Sequence, residues 1–130
     1  MKNQTSLLYV CSPLAAPTEE GICENMKRAK FYAEEIAKIA GCRTIAPHAF
    51  LPKYLNDNNP AEREIAINFG LDVITICSGI VICGSRITEG MAAEIASALG
   101  RGLPVYHYDE YSKTLSEYFL NNHRDLAMAI

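Results

Sequence analysis

The sequence has no tryptophan, no apolar run long enough to cross a bilayer, and no cluster of basic residues. A transmembrane helix needs about 20 consecutive apolar residues, and the polar residues 1–6 lead into an apolar segment too short for a signal peptide. The net charge of -3 argues against a partner bound through nucleic-acid phosphates. We therefore expect a cytoplasmic protein that binds neither membranes nor nucleic acids.

Cysteine is present but shows no pattern of a disulfide framework or a zinc site. There is no C-x-x-C pair, and the number of cysteines is odd. We predict that they are buried, reduced side chains that behave as small apolar residues: Cys11, Cys23, Cys42, Cys77 and Cys83. Because the chain also contains no internal repeat or linker, residues 1–130 are predicted to form a single domain.

Segments with strand and helix patterns alternate along the chain. Short apolar runs predict strands at residues 7–11, 43–46, 80–83 and 103–106. Helical spacing and capping residues predict helices over 21–40, 59–77, 88–101 and 111–121, with a loop or a broken helix over 48–59. This alternation predicts a three-layer α/β/α, Rossmann-like (flavodoxin-like) domain with a parallel sheet in the strand order 2-1-3-4.

Polar residues follow three of the predicted strands, at the edge where open parallel sheets bind ligands. Ser12 and Pro13 follow the first strand, and His48 follows the second. Gly84 and Ser85 follow the third strand. His48 is a candidate substrate contact, although a lone histidine at a strand end is more often structural. We therefore predict a ligand site at this edge of the sheet.

The segment GSRITEGMAAE at residues 84–94 follows the third predicted strand and opens an alanine-rich helix. With Thr88 as the N-cap, free backbone N–H groups and the helix dipole form an anion site. Helical side chains lean toward the N-terminus, so Glu94 is predicted to lie over Gly90, which has no side chain to fill the space. Burial would raise the pKa of Glu94 and suit it to nucleophilic or acid–base chemistry. The alternatives are a solvated glutamate and one paired with an arginine.

Several of these motifs resemble the nucleoside 2-deoxyribosyltransferase superfamily, which includes the deoxynucleoside 5′-monophosphate N-glycosidases. They are YVCSP at residues 9–13, SGIVI at 78–82, EG-x-x-x-EI-x-x-A at 89–98, and G-x-PV at 102–105. The middle of the chain is more similar to a subfamily of small bacterial and phage proteins. The resemblance implies an N-glycosidic-bond enzyme, hydrolase or deoxyribosyltransferase, acting on (deoxy)nucleosides or their 5′-monophosphates. It implies no metal or organic cofactor, and an active site completed in a homo-oligomer (dimer or tetramer).

The resemblance also assigns roles to three residues of this chain. Glu94 corresponds to the catalytic carboxylate of the family, which attacks the anomeric carbon and forms a glycosyl-enzyme intermediate. Tyr9 corresponds to a tyrosine that forms a hydrogen bond near the sugar or the nucleophile. Asp72 corresponds best to a family aspartate, an acid or sugar-binding residue, but it lies one residue closer to the third strand than is usual.

The chain departs from the family pattern in the loops after the first and third predicted strands. Ser12 replaces a glycine that many transferases have, and Ser85 and Arg86 replace the customary aspartate. Arg86, with the hydroxyls of Ser85 and Thr88, is a candidate seat for a substrate phosphate, the alternative being a solvated loop charge. Because the acidic companion is missing, a non-catalytic nucleotide-binding module of the same fold stays open. The apolar tail at residues 126–130 is a candidate oligomer contact.

Overall fold

The computed structural model describes residues 6–118, which contain five strands and three α-helices. The strands are β1 (Leu7–Cys11), β2 (Arg43–Ile45), β3 (Gly79–Ile82), β4 (Val105–Asp109) and β5 (Thr114–Glu117). The helices are α1 (Glu19–Ala40), α2 (Pro60–Ile74) and α3 (Glu89–Gly100). The sheet order is β2-β1-β3-β4-β5, so the predicted order of the first four strands is confirmed.

The four predicted strands are parallel, and the fifth is not. β1 pairs in parallel with β2 and β3, and β3 pairs in parallel with β4. β5 pairs antiparallel with β4, with Tyr108 opposite Leu115. Strand β3 is buried along its whole length, as its continuous apolar sequence predicts for a central parallel strand.

The prediction of a final helix over residues 111–121 is wrong in its described part. The Asp109 carboxylate accepts hydrogen bonds from the backbone N–H groups of Tyr111 and Ser112, at 2.9 and 3.3 Å, and Lys113 has a positive φ of 57°. These features form a tight turn that reverses the chain into β5. The remainder of the predicted helix, and the apolar tail at 126–130, lie outside the described residues.

Capping residues fix where the helices begin. The Asn59 side chain accepts from the backbone N–H groups of Ala61 and Glu62, as predicted for the start of α2. The Thr88 side chain accepts from the N–H of Met91 and begins α3. The segment predicted as a loop or a broken helix over 48–59 overlaps two short 3-10 turns, Pro47–Ala49 and Leu51–Lys53.

Helices cover both faces of the sheet and complete the predicted three layers. Tyr9 and Cys11 of β1 face a core that α2 and α3 cover, whereas Leu8 and Val10 face a core that α1 covers. Adjacent residues of a strand point to opposite faces, so Tyr9 and Cys11 point together toward α3. This arrangement places a tyrosine and a cysteine beside the helix that carries Glu94.

Two further expectations from the sequence concern cysteines and membranes. All five cysteines are free; four are buried, but Cys23 on α1 is exposed, which corrects its predicted burial. Its position on the solvent face of a long amphipathic helix is the physical reason. No helix in residues 6–118 is both long and apolar enough to span a membrane.

Candidate active site

The loops that follow β1 and β3 meet at the carboxyl edge of the sheet. The backbone N–H of Cys83 donates to the carbonyl of Cys11 at 2.8 Å, so the ends of the two strands are tied together. The chain then leaves β3 through Gly84, whose backbone φ of 92° is rarely adopted by residues that have a side chain. These constraints place the N-terminal turns of α3 directly over the end of β1.

Glu94 is the buried carboxylate of this edge, with only 5% of its surface exposed. The Tyr9 hydroxyl donates a short hydrogen bond to its Oε2. The Cys11 thiol donates to its Oε1 at 3.4 Å. Both carboxylate oxygens are therefore held by neutral donors on one face of β1.

The environment of this cluster sets which groups carry protons. Burial raises the pKa of Glu94, while the positive charge of a nearby His48 imidazolium and the hydrogen bonds from Tyr9 and Cys11 act in the opposite direction. Burial, and then the adjacent Glu94 charge, raise the pKa of the Tyr9 phenol far above its usual range. The same causes raise the pKa of the Cys11 thiol well above its usual value. Tyr9 and Cys11 therefore remain protonated donors at neutral pH.

Gly70 of α2 gives the tyrosine–glutamate pair the space that it occupies. A Cβ atom built at Gly70 would lie 2.6 Å from the Tyr9 hydroxyl oxygen and 2.9 Å from Oε2 of Glu94. Gly90, by contrast, has no heavy atom within 4 Å of such a Cβ, so a side chain there would extend into open space. Gly70 is thus the glycine required by close packing, while Gly90 keeps an opening clear.

A cavity of about 40 Å³, here called the inner cavity, lies over Glu94. Its polar lining comes from Tyr9, His48, Asp57 and Glu94, and its apolar walls include Leu14, Leu51, Leu55 and Ile67. It adjoins a wider outer groove of about 470 Å³, which shares Asp57, Ile67 and Gly90 with it. The inner cavity has room for only a few water molecules, so a larger ligand must extend into the outer groove.

The predicted site residues divide between this cavity and a second one. Tyr9, His48, Gly90 and Glu94 line the inner cavity. Pro13, Gly84, Ser85 and Arg86 instead line a second cavity of about 280 Å³, which shares no lining residue with the inner cavity. That second cavity also contains an ion pair between Arg28 and Glu110, at 2.6 Å. The structure therefore separates the predicted nucleophile from the predicted phosphate seat.

Three other predicted residues have positions that redefine their roles. Asp72 is exposed on α2 and does not line the inner cavity, because its helical position turns it toward solvent. Thr88 uses its side-chain oxygen to cap α3. Ser12 is buried, and its hydroxyl has no hydrogen-bond partner among the described residues, while its carbonyl oxygen lies 2.8 Å from Nδ1 of His48.

Three residues of this site were missed from the sequence. Cys11 lies two positions after Tyr9 on the same strand, a spacing that places both side chains on one face. Gly70 interrupts a helix, where glycine costs about 1 kcal/mol relative to alanine and so signals a packing reason. Asp57 lies in the asparagine-rich turn before α2, and no sequence signal distinguishes a turn residue there from one that lines a cavity. In residues 6–118 no three histidine, cysteine or acidic side chains are grouped as for a metal ion.

Comparison with known proteins gives one structural match and one family match. A solved structure of a 2-deoxyribosyltransferase from the psychrotolerant bacterium Bacillus psychrosaccharolyticus matches with a TM-score of 0.58 and 14% sequence identity, over 88% of this chain and 100% of that one. At this identity the likeness shows a shared fold. No curated protein matches the chain. The profile of a domain of unknown function, DUF7768, matches residues 6–108, and the chain therefore belongs to the DUF7768 family.

Proposed function

We propose that the protein cleaves N-glycosidic bonds in (deoxy)nucleosides or their 5′-monophosphates, with Glu94 as the nucleophile. The observation that carries the proposal is a buried carboxylate whose two oxygens accept from Tyr9 and Cys11 at the floor of a cavity. The cavity lies at the carboxyl edge of a parallel sheet, where such folds bind ligands. The shared fold with a 2-deoxyribosyltransferase supports a nucleoside as the substrate.

The energetic cost of this carboxylate argues against a purely structural role. Burying a charge is expensive unless it is paired, and no lysine or arginine among residues 6–118 forms an ion pair with Glu94. An apolar side chain at this buried position would avoid that cost. Groups that weaken folding in this way are concentrated at functional sites.

The geometry suits a two-step displacement at the anomeric carbon of a sugar. Glu94 attacks this carbon, the nucleobase departs, and a glycosyl-enzyme ester forms at one carboxylate oxygen. Tyr9 donates to the carboxylate before attack and again when the ester is released. A water molecule then gives hydrolysis, whereas a second nucleobase gives transfer.

The volumes of the cavities suggest how a substrate is divided among them. The inner cavity admits only the reacting centre of the substrate, and the outer groove has room for the remainder of it. Ser85 and Arg86 in the second cavity are exposed donors suited to a phosphate group. A 5′-monophosphate would use both the predicted nucleophile and the predicted anion site only by spanning from the inner cavity to the second cavity.

A non-catalytic nucleotide-binding module is the alternative, and the position of Asp72 favours it. This aspartate, the predicted second carboxylate of the reaction, is exposed on α2 and away from the inner cavity. Such a module would keep the anion site and bind nucleotides without turnover. The two functions differ in whether free base is released.

A surface on α2 and just after it is a candidate contact for the homo-oligomer that the family resemblance implies. α2 exposes Ile65 and Phe69, and Ile76 follows its end with 70% of its surface exposed. Exposed large apolar side chains of this kind are typical of subunit contacts. A homo-oligomer formed through this face is consistent with the resemblance to a family whose sites are completed between subunits.

Incubation with deoxynucleosides and their 5′-monophosphates, followed by chromatography for free base, tests the proposal. We expect base release by the wild-type protein and its loss in Glu94→Ala. Glu34→Ala, at an exposed position of α1, is the matched control and should retain the wild-type rate. Saturable nucleotide binding without base release would establish the module instead. Undiminished release by Glu94→Ala would remove the nucleophile assignment.

A further inference from the structure

His48 occupies a fixed position in the wall of the inner cavity. It is half-buried in the short turn Pro47–Ala49, immediately after β2, and Pro47 beside it is fully buried. Its Nδ1 atom lies 2.8 Å from the carbonyl oxygen of Ser12, in the loop after β1. The imidazole ring therefore bridges the ends of two neighbouring strands.

This hydrogen bond determines which ring nitrogen carries the proton. A carbonyl oxygen only accepts hydrogen bonds, so Nδ1 of His48 must be the donor. In the neutral ring the other nitrogen, Nε2, then holds a lone pair. No hydrogen bond to Nε2 occurs within residues 6–118, which leaves this atom available to take up or release a proton.

The other titratable groups around the inner cavity are either engaged with Glu94 or not fixed in place. Tyr9 and Cys11 already donate to Glu94, and burial raises the pKa of each. Asp57 lines both the inner cavity and the outer groove, but no hydrogen bond among the described residues fixes its side chain, whereas the Ser12 carbonyl fixes that of His48. The positive charge of the His48 imidazolium lowers the pKa of Glu94, so the two groups lie within electrostatic reach.

We propose that His48 is the general acid and general base of the reaction, with Ser12 fixing its tautomer through the backbone carbonyl. This inference rests on the proposed function and assigns the proton-transfer role that the exposed Asp72 cannot perform. In the first step, Glu94 forms a bond to the anomeric carbon and the glycosidic C–N bond breaks. The imidazolium gives its Nε2 proton to the departing base, which leaves neutral, and His48 becomes neutral.

In the second step the proton is recovered from water. A water molecule attacks the anomeric carbon, and the bond between this carbon and the Glu94 oxygen breaks. Nε2 of His48 accepts the proton of that water, so the carboxylate and the imidazolium are both regenerated. One histidine therefore serves both steps, and no further co-reactant is needed for hydrolysis.

Kinetics with two leaving groups tests this role. 2′-Deoxyadenosine 5′-monophosphate needs protonation of its base, whereas the nitrophenolate of 4-nitrophenyl 2-deoxyribofuranoside leaves without it. General acid–base catalysis contributes about 10²- to 10⁴-fold, so we expect His48→Gln to lose at least about 100-fold in kcat on the nucleotide. On the nitrophenyl substrate, His48→Gln should release a rapid burst of one equivalent of nitrophenolate and then turn over slowly. His107→Gln, on β4 and outside the inner cavity, is the matched control.

Added imidazole and NMR give readouts that a structural role would not produce. Imidazole in solution should restore turnover to His48→Ala by replacing the missing acid and base. In the intact wild-type protein, the ¹⁵N shifts of the neutral His48 ring should identify the Nδ1–H tautomer, with His107 as an internal reference.

Each failure has a distinct meaning. Three results would overturn the His48 assignment while leaving the Glu94 nucleophile in place. They are an equal loss of activity by His48→Gln on both substrates without a burst, full retention of nucleotide cleavage by this variant, and an Nε2–H tautomer in the wild-type protein. A wild-type protein inactive on both substrates would overturn the proposed function and this inference together.

Discussion

Replacing Gly70 by alanine probes the packing on which the candidate site depends. The new Cβ atom would lie 2.6 Å from the Tyr9 hydroxyl oxygen and 2.9 Å from Oε2 of Glu94, well inside the 3.4 Å at which ordinary contact begins. Both atoms are held, because Tyr9 and Glu94 are hydrogen-bonded to each other and Cys11 holds the other carboxylate oxygen. Relief therefore requires the pair to move apart or α2 to shift.

The expected magnitude follows from two opposing effects. Overpacking of a core typically costs about 1–3 kcal/mol, whereas glycine to alanine within a helix gains about 0.5–1 kcal/mol. We expect Gly70→Ala to be destabilised by about 1–2 kcal/mol on balance. For a domain of this size that lowers Tm by about 3–8 °C. Base release should fall as well, because the Glu94 carboxylate is displaced.

Thermal and urea denaturation measure this change, with Gly100→Ala as the matched control. Gly100 is exposed at the end of α3, and a Cβ there meets no heavy atom within 4 Å. This control should gain stability, by at most about 1 kcal/mol. If Gly70→Ala gained as much as Gly100→Ala, the close approach of α2 to the tyrosine–glutamate pair would be refuted.

Two further perturbations concern charge. Burial raises the pKa of Glu94 above its unfolded value of 4.5, so its contribution to stability is present below that value and is lost as pH rises through the folded pKa. Glu94→Gln should therefore match the wild-type Tm at acidic pH and exceed it increasingly toward neutral pH; a Tm difference independent of pH would contradict this. Arg86→Ala should raise KM for a 5′-monophosphate by about 10-fold or more, as expected for the loss of a charge-assisted contact, with no change for the nucleoside. Equal effects on both substrates would remove Arg86 from phosphate binding.

The central part of the fold could be predicted from sequence because local patterns agree with the tertiary structure. The apolar runs, the Asn59 and Thr88 caps, and the position of Glu94 after Thr88 all depend on residues close in sequence. From these the order of four parallel strands follows by general rules of connection. The sequence does not predict the edge strand β5, because residues 111–121 have a helical pattern that competes with the turn at Asp109. Part of this pattern lies beyond residue 118, the last described residue.

The parts of the site that could not be predicted depend on how distant elements pack. Gly70 matters only because α2 packs against the side chains of Tyr9 and Glu94, a relation that no local pattern encodes. The separation of Arg86 from Glu94 into different cavities depends on the path of the loop after β3. Asp57 and Asp72 are both aspartates near α2, and only the three-dimensional arrangement shows which one lines the inner cavity.

The contact between Tyr9 and Glu94 also has a consequence for how the chain folds. The two residues are 85 positions apart, and β1 and β3 pair in parallel across a similar separation. Closing such long loops is slow, so proteins dominated by distant pairings fold more slowly than those built from local contacts. α1 and the β4–β5 hairpin can form from neighbouring residues, but the tyrosine and the glutamate meet only once β1 has found β3 and α3 has docked. The candidate site is therefore among the last features to assemble, and recovery of its chemistry during refolding marks completion of the native topology.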